Sequence, residues 1–189
     1  MHTPFTNSLL RVTLLAFVAA APLFSACSDD NDDPTPDDDN EQITTVTYKL
    51  TPTTGGGAPV LVTYKDADGD GGANPVTGSL TLAANTTYTG ELILLDETKN
   101  PAVNTSAEIL EEADEHLFVF EPAPANLMTV TRTDKDKNNL EIGLQTRLVT
   151  TTAATGTLKI TLRHQPGTKN GTSAPGDTDV EVNFPTTVR

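Results

Sequence analysis

ITTVTYKL, residues 43 to 50, places Val46, Tyr48 and Leu50 on one side of an extended chain and Thr45, Thr47 and Lys49 on the other. Successive side chains of a strand point to opposite faces, so this alternation describes a segment with one buried face and one wet face. The same period of two returns in PVLVTYK (59–65), GSLTLA (78–83), TTYTGELILL (86–95), LFVF (117–120), LMTVTRT (127–133), TLKITLR (157–163) and DVEVNF (179–184). Gly, Pro, Asn or Asp bound these runs, as turns require. Threonine fills many outward positions, where a β-branched side chain suits a pleated surface and its hydroxyl meets water. About eight or nine short strands, evenly spaced and almost without helix, predict an all-β fold: an antiparallel, immunoglobulin-like β-sandwich. A small barrel is the alternative.

One segment departs from the period. In VNTSAEILEEADEH (103–116), Thr105 stands three residues before Glu108, the spacing of a capping box, and Ile109, Leu110, Ala113 and Leu117 share a helical face. A helix of about ten residues, crossing between two strands and covering one end of the sandwich, is expected here.

Upstream of residue 43 the chemistry changes. Arg11 and the amino terminus precede the apolar run VTLLAFVAAAPLF (12–24), shorter than the roughly 20 residues that span a bilayer. Ser25 and Ala26 then lead to Cys27, the chain's only cysteine, in an arrangement that resembles a bacterial lipobox. No intramolecular disulfide is possible. Cys27 is therefore the expected lipidation site; the competing reading is a plain secretory signal followed by an incidental cysteine. Each buried methylene contributes about 0.8 kcal/mol, so two or three acyl chains hold a protein at a membrane where one does so only marginally.

Residues 28–41 carry eight acids, two prolines and no base, a composition that cannot bury enough apolar surface to offset its ordering entropy. The division expected is a signal peptide (1–26), an acylated cysteine with a disordered acidic tether (27–42), and the sandwich (43–189). Cys27-Ser28-Asp29-Asp30 resembles the acidic export signal of Bacteroidetes-type lipoproteins, which implies an outer-membrane lipoprotein facing the exterior; a periplasm-facing lipoprotein is the alternative. Residues 42–189 still hold 18 acids against 11 bases. Such a surface repels nucleic acid, so no nucleic-acid partner is expected, and the membrane is reached through the lipid anchor.

Three constellations can carry chemistry. KDADGDGG (65–72) alternates Asp66, Asp68 and Asp70 before Gly71, as in the first half of a calcium loop. The twelfth position is Thr77, not a bidentate Glu, which excludes an EF-hand and leaves either a calcium site or a polar turn. TDKDKNN (133–139) repeats the alternation with Asp134, Asp136 and Asn138, but Lys135 and Lys137 interleave and favour a turn. Glu112 and His116 are four apart, so both side chains can meet on the expected helix. His164 shares parity with Leu158, Ile160 and Leu162 and faces inward at a strand end. If the helix closes that end, Glu112, His116 and His164 can gather around zinc or copper. Otherwise His116 caps the helix and His164 is a core-edge residue.

No nucleophile motif, phosphate-cradling loop or paired-carboxylate context supports an enzyme. The absence of Trp weakens a sugar-binding reading. Cys27 with its acidic tether, KDADGDGG, EEADEH and LRHQPG together resemble a group of small Bacteroidetes-type envelope lipoproteins, some named "type 1 periplasmic binding fold superfamily protein". That fold consists of two α/β lobes on a longer chain, and nothing here alternates strand with helix in that way. The resemblance implies a setting, an envelope lipoprotein beside an outer-membrane uptake receptor, and no ligand residue. The expected function is a ligand-binding or accessory module, possible roles being nutrient or metal uptake; the alternative is a structural or adhesive envelope protein.

Overall fold

The computed structural model describes residues 41–68 and 72–189. Cys27, the signal segment and nearly all of the acidic tether lie outside the described residues, as does Asp70. In chain order the elements are β1 (Thr45–Pro52), β2 (Val60–Lys65), β3 (Val76–Thr77), β4 (Leu80–Leu82), β5 (Thr87–Leu95), α1 (Thr105–Glu111), β6 (His116–Ala123), β7 (Met128–Arg132), β8 (Gln145–Thr150), β9 (Ala154–His164) and β10 (Asp177–Val188). They form a two-sheet sandwich, with strand orders β3-β2-β1-β5-β8-β7 and β4-β10-β9-β6. Every pairing is antiparallel except that of β10 with β4.

Alternation sets the core. Val46, Tyr48 and Leu50 of β1 are buried, as are Leu158, Ile160 and Leu162 of β9 and Val182, Phe184 and Val188 of β10. Both sheets contribute to one apolar cluster. Each such side chain adds about 1.5–3 kcal/mol relative to leaving it in water.

Ten strands appear where eight or nine are expected. β3 has two residues, and β8 turns Thr146 and Thr150 inward on either side of Leu148, so it lacks an apolar alternation. Those threonines are satisfied within the fold. Thr146 Oγ1 meets the buried Tyr48 hydroxyl at 2.7 Å, and Thr150 Oγ1 donates to the Ala83 carbonyl at 2.7 Å. Gly90 of β5 lies between Tyr48 and Thr146, and a Cβ there would collide with both.

The helix is shorter than expected, seven residues rather than about ten. Asn104, not Thr105, occupies the N-cap, and no side-chain cap bond forms; Thr105 is buried inside the first turn. Ile109 faces the core, whereas Leu110 is 57% exposed. The helical face breaks off because the chain turns away after Glu111, and Leu117 is buried as part of β6 instead. The Leu94 amide donates to Ser106 Oγ at 2.6 Å, which seats α1 on β5 before the chain crosses to β6.

Candidate metal centre

β6 begins at His116 and β9 ends at His164, and antiparallel pairing sets these two residues directly opposite each other. Opposed residues share a face. The imidazoles stack, with centroids 4.8 Å apart and planes 6° from parallel. His116 Nδ1 lies 3.1 Å from the Glu112 carbonyl oxygen at the end of α1. An Nδ1–H donated there fixes the ring and leaves Nε2 to face the interior, the arrangement in which a histidine serves a metal.

Two carboxylates converge on that nitrogen. Glu41 Oε1 lies 2.6 Å from His116 Nε2 and Asp179 Oδ2 lies 3.9 Å from it. Asp179 arrives through a bulge. The β9–β10 register pairs Thr178 with Arg163 and Val180 with Leu162, leaving Asp179 as an extra residue. Val180 already takes the inward position, yet the Asp179 side chain is 0% exposed. The bulge thus overrides alternation and re-aims the carboxylate. Beside the site, Gly176 adopts φ +77°, and a Cβ there would collide with the His164 carbonyl.

Burial without donors defines the electrostatics. His116 Nε2, Glu41 Oε2 and both Asp179 oxygens are buried and lack a directed hydrogen bond among the described residues. The short Glu41–His116 contact is therefore an ion pair off the line of the ring N–H. Burial alone pushes a carboxyl up, but His116 together with hydrogen bonds from the backbone and Asp179 outweighs it and holds Glu41 below its ordinary range. Burial pulls His116 down, but the Glu41 carboxylate, the Glu112 carbonyl and the Asp179 charge together outweigh it, so the imidazole is raised. Asp179 is pushed up to about 8 by burial and then by the charge of Glu41, against weaker opposition from His116 and Arg163. Two ionised carboxylates have nothing to donate to each other; a proton on Asp179 turns their contact into a hydrogen bond.

Glu41, His116, His164 and Asp179 each offer a ligand atom, all within 4.8 Å of one another. A tetrahedral ion with bonds of about 2.0–2.1 Å holds its ligands about 3.3 Å apart, so the widest pair closes by somewhat more than 1 Å and the Glu41–His116 contact opens. Buried oxygens and an imidazole nitrogen without directed hydrogen bonds among the described residues are what a divalent cation would satisfy. Two imidazoles with two carboxylates suit a first-row divalent ion, and no sulfur ligand favours a soft monovalent one.

The two histidines expected to meet do lie together; the expected third partner is corrected. Glu112 contributes only its carbonyl, and its side chain is exposed, because α1 stops at Glu111 and the helical spacing does not continue to His116. The carboxylates are Glu41, counted with the tether in the sequence reading, and Asp179, assigned by alternation to the wet face. For Asp179 a signal existed: a β9–β10 hairpin sets the start of β10 beside the end of β9. Nothing in the sequence marked Glu41.

The other constellations lie elsewhere. Asp68 Oδ2 accepts from the Ala73 amide at 2.8 Å and closes its own loop, while the Asp66 amide donates to the Thr44 carbonyl. Asp134 accepts from the amides of Gly143 and Gln145. Asp136 accepts from those of Asn138 and Leu140 and pairs with Lys169 Nζ at 2.8 Å. The Asp68, Asp134 and Asp136 carboxylates thus serve their own turns. Compared with models of known families, with curated proteins and with solved structures, the chain finds no match.

Proposed function

We propose that this chain is a lipid-anchored envelope protein whose sandwich domain binds one divalent transition-metal ion, zinc or copper, through Glu41, His116, His164 and Asp179. The carrying observation is the buried cluster itself, in which three of four side chains hold polar atoms without hydrogen-bond partners among the described residues. A fold gains nothing by burying two adjacent carboxyls with no donors unless protons or a cation occupy the space between them. The lipobox-like run before Cys27 and the acidic residues after it support an outer-membrane, outward-facing setting, where such a module would deliver or retain metal beside an uptake receptor.

Metal analysis of the purified full chain tests the reading. One equivalent of zinc or copper is expected, lost in His116→Ala, His164→Ala and Asp179→Asn and retained in Glu112→Ala. A chain that takes up no metal, or one whose metal survives all three losses, refutes it.

A further inference from the structure

The four ligand residues are not held alike. His116, His164 and Asp179 sit on β6, β9 and β10, three strands hydrogen-bonded in sequence within one sheet. Glu41 comes from the opposite sheet's lead-in, four residues ahead of β1. The lead-in is fixed from Ile43 onward: Ile43 is buried, and Thr44 bonds the Leu95 carbonyl through its amide at 3.0 Å and its hydroxyl at 3.1 Å. Beyond that anchor Gln42 is exposed, and the Glu41 side chain reaches back over the cluster. It is also the most open of the four, 10% exposed against 6% for His164 and 0% for His116 and Asp179.

Resting on the metal reading above, we infer that Glu41 is a detachable fourth ligand: a strap that closes over a half-site of His116, His164 and Asp179 when a divalent ion binds, and opens to release it. Tethering drives the device. Without a cation the Glu41 side chain is held over the cluster by its 2.6 Å contact with His116 Nε2; with one, that nitrogen and both carboxylates bind the same centre and the strap is drawn down more tightly. The three remaining ligands lie on a hydrogen-bonded sheet and keep their places when the strap lifts. They leave one coordination position open, through which a stronger acceptor can take the metal.

Glu41 is itself the reporter, being the first glutamate of the chain, with the next at Glu91. A glutamyl-specific endopeptidase acting on the full-length wild-type chain cuts Glu41–Gln42 only when the strap is open. Saturating zinc is expected to slow that cut at least tenfold. Glu41→Gln is expected to retain one equivalent of zinc at saturation and surrender it to a colorimetric chelator at least tenfold faster than wild type. If wild type binds one equivalent but its cleavage is not slowed, or Glu41→Gln releases zinc no faster, the strap is overturned while the metal site stands. If wild type binds no metal at all, the site falls, and the strap with it.

Discussion

Asp136 and Asp179 both have side chains with 0% exposure, and their acidities move in opposite directions. Burial pushes each upward. At Asp136, Lys169 and the amides of Leu140 and Asn138 outweigh burial, and the carboxyl is held below its ordinary range. At Asp179 the nearest carboxyl, Glu41, adds to the effect of burial, and the group rises to about 8. The donors around a buried carboxylate, not its burial, decide whether it is a structural anion or a group waiting for a partner. Asp136 is the first kind, tying the 134–143 turn to Lys169, whose ammonium also donates to the Ala113 carbonyl at 2.8 Å. Asp179 is the second.

The largest expected effect breaks the first member of the comparison. Lys169→Ala strands the Asp136 charge in a covered site, and a loss of about 3–5 kcal/mol is expected in urea unfolding. Asp179→Asn, measured metal-free at pH 6.5 where Asp179 is already neutral, should change stability by less than about 1 kcal/mol. Equal losses at the two positions would mean that both carboxyls are structural. The next effect in size sharpens the second member. Zinc at a hundredfold excess over its dissociation constant should stabilise the wild type by about 2.7 kcal/mol, raising its melting temperature by about 5–10 °C, and Asp179→Asn should abolish the gain.

This comparison also marks how far the sequence is legible. Strands with apolar alternation such as β1, β5 and β9 could be read directly, because burial on one face writes itself into the period. β8 could not: its inward Thr146 and Thr150 are satisfied by partners distant in sequence, Tyr48 and Ala83. The histidines were legible through strand parity at His164. Their carboxylates were hidden because Asp179 depends on a bulge, which a strict alternation cannot show, and because Glu41, although the one glutamate of its run, closes a string of seven aspartates whose composition reads as solvated tether. Asp136 and Asp179 carry no local difference in sequence that announces opposite roles.

Acidity should expose the contrast along the pH axis, with a smaller effect. Asp179, raised from 3.8 to about 8, binds a proton in the folded state that the unfolded chain has released. Its contribution is therefore greatest at the acid end and is lost as pH climbs through the window up to about 8. His116, also raised, acts with the same sign: its contribution is complete below 6.5 and lost as pH rises through the folded value. Glu41 and Asp136 act oppositely, since lowered carboxyls stabilise above 4.5 and 3.8 respectively and lose that contribution as pH falls. Metal-free stability should thus decline on both sides of a maximum near pH 4–5, and Asp179→Asn should flatten the alkaline side alone. An alkaline decline unchanged in that variant would detach Asp179 from it.

The smallest expected effect concerns a third kind of acid, one near solvent and served by its own loop. Asp68 is exposed, and its Oδ2 accepts from the Ala73 amide at 2.8 Å. A Cβ on Gly72 would collide with that carboxylate, so the glycine is what lets the loop fold onto it. Calcium requires six to eight oxygens, and an oxygen already engaged by an amide is poorly placed to serve. Asp66 is less committed, for among the described residues its buried Oδ1 has no hydrogen-bond partner, a small echo of the His116 cluster. If available donors decide the role here too, millimolar calcium should move the melting temperature by less than about 1 °C. Asp68→Ala should cost about 1 kcal/mol, the worth of its turn-closing bond, whether or not calcium is present. A calcium-dependent rise of several degrees that vanishes in Asp68→Ala would break the rule drawn from Asp136 and Asp179, because it would show a carboxylate that closes a turn and gathers a cation at once.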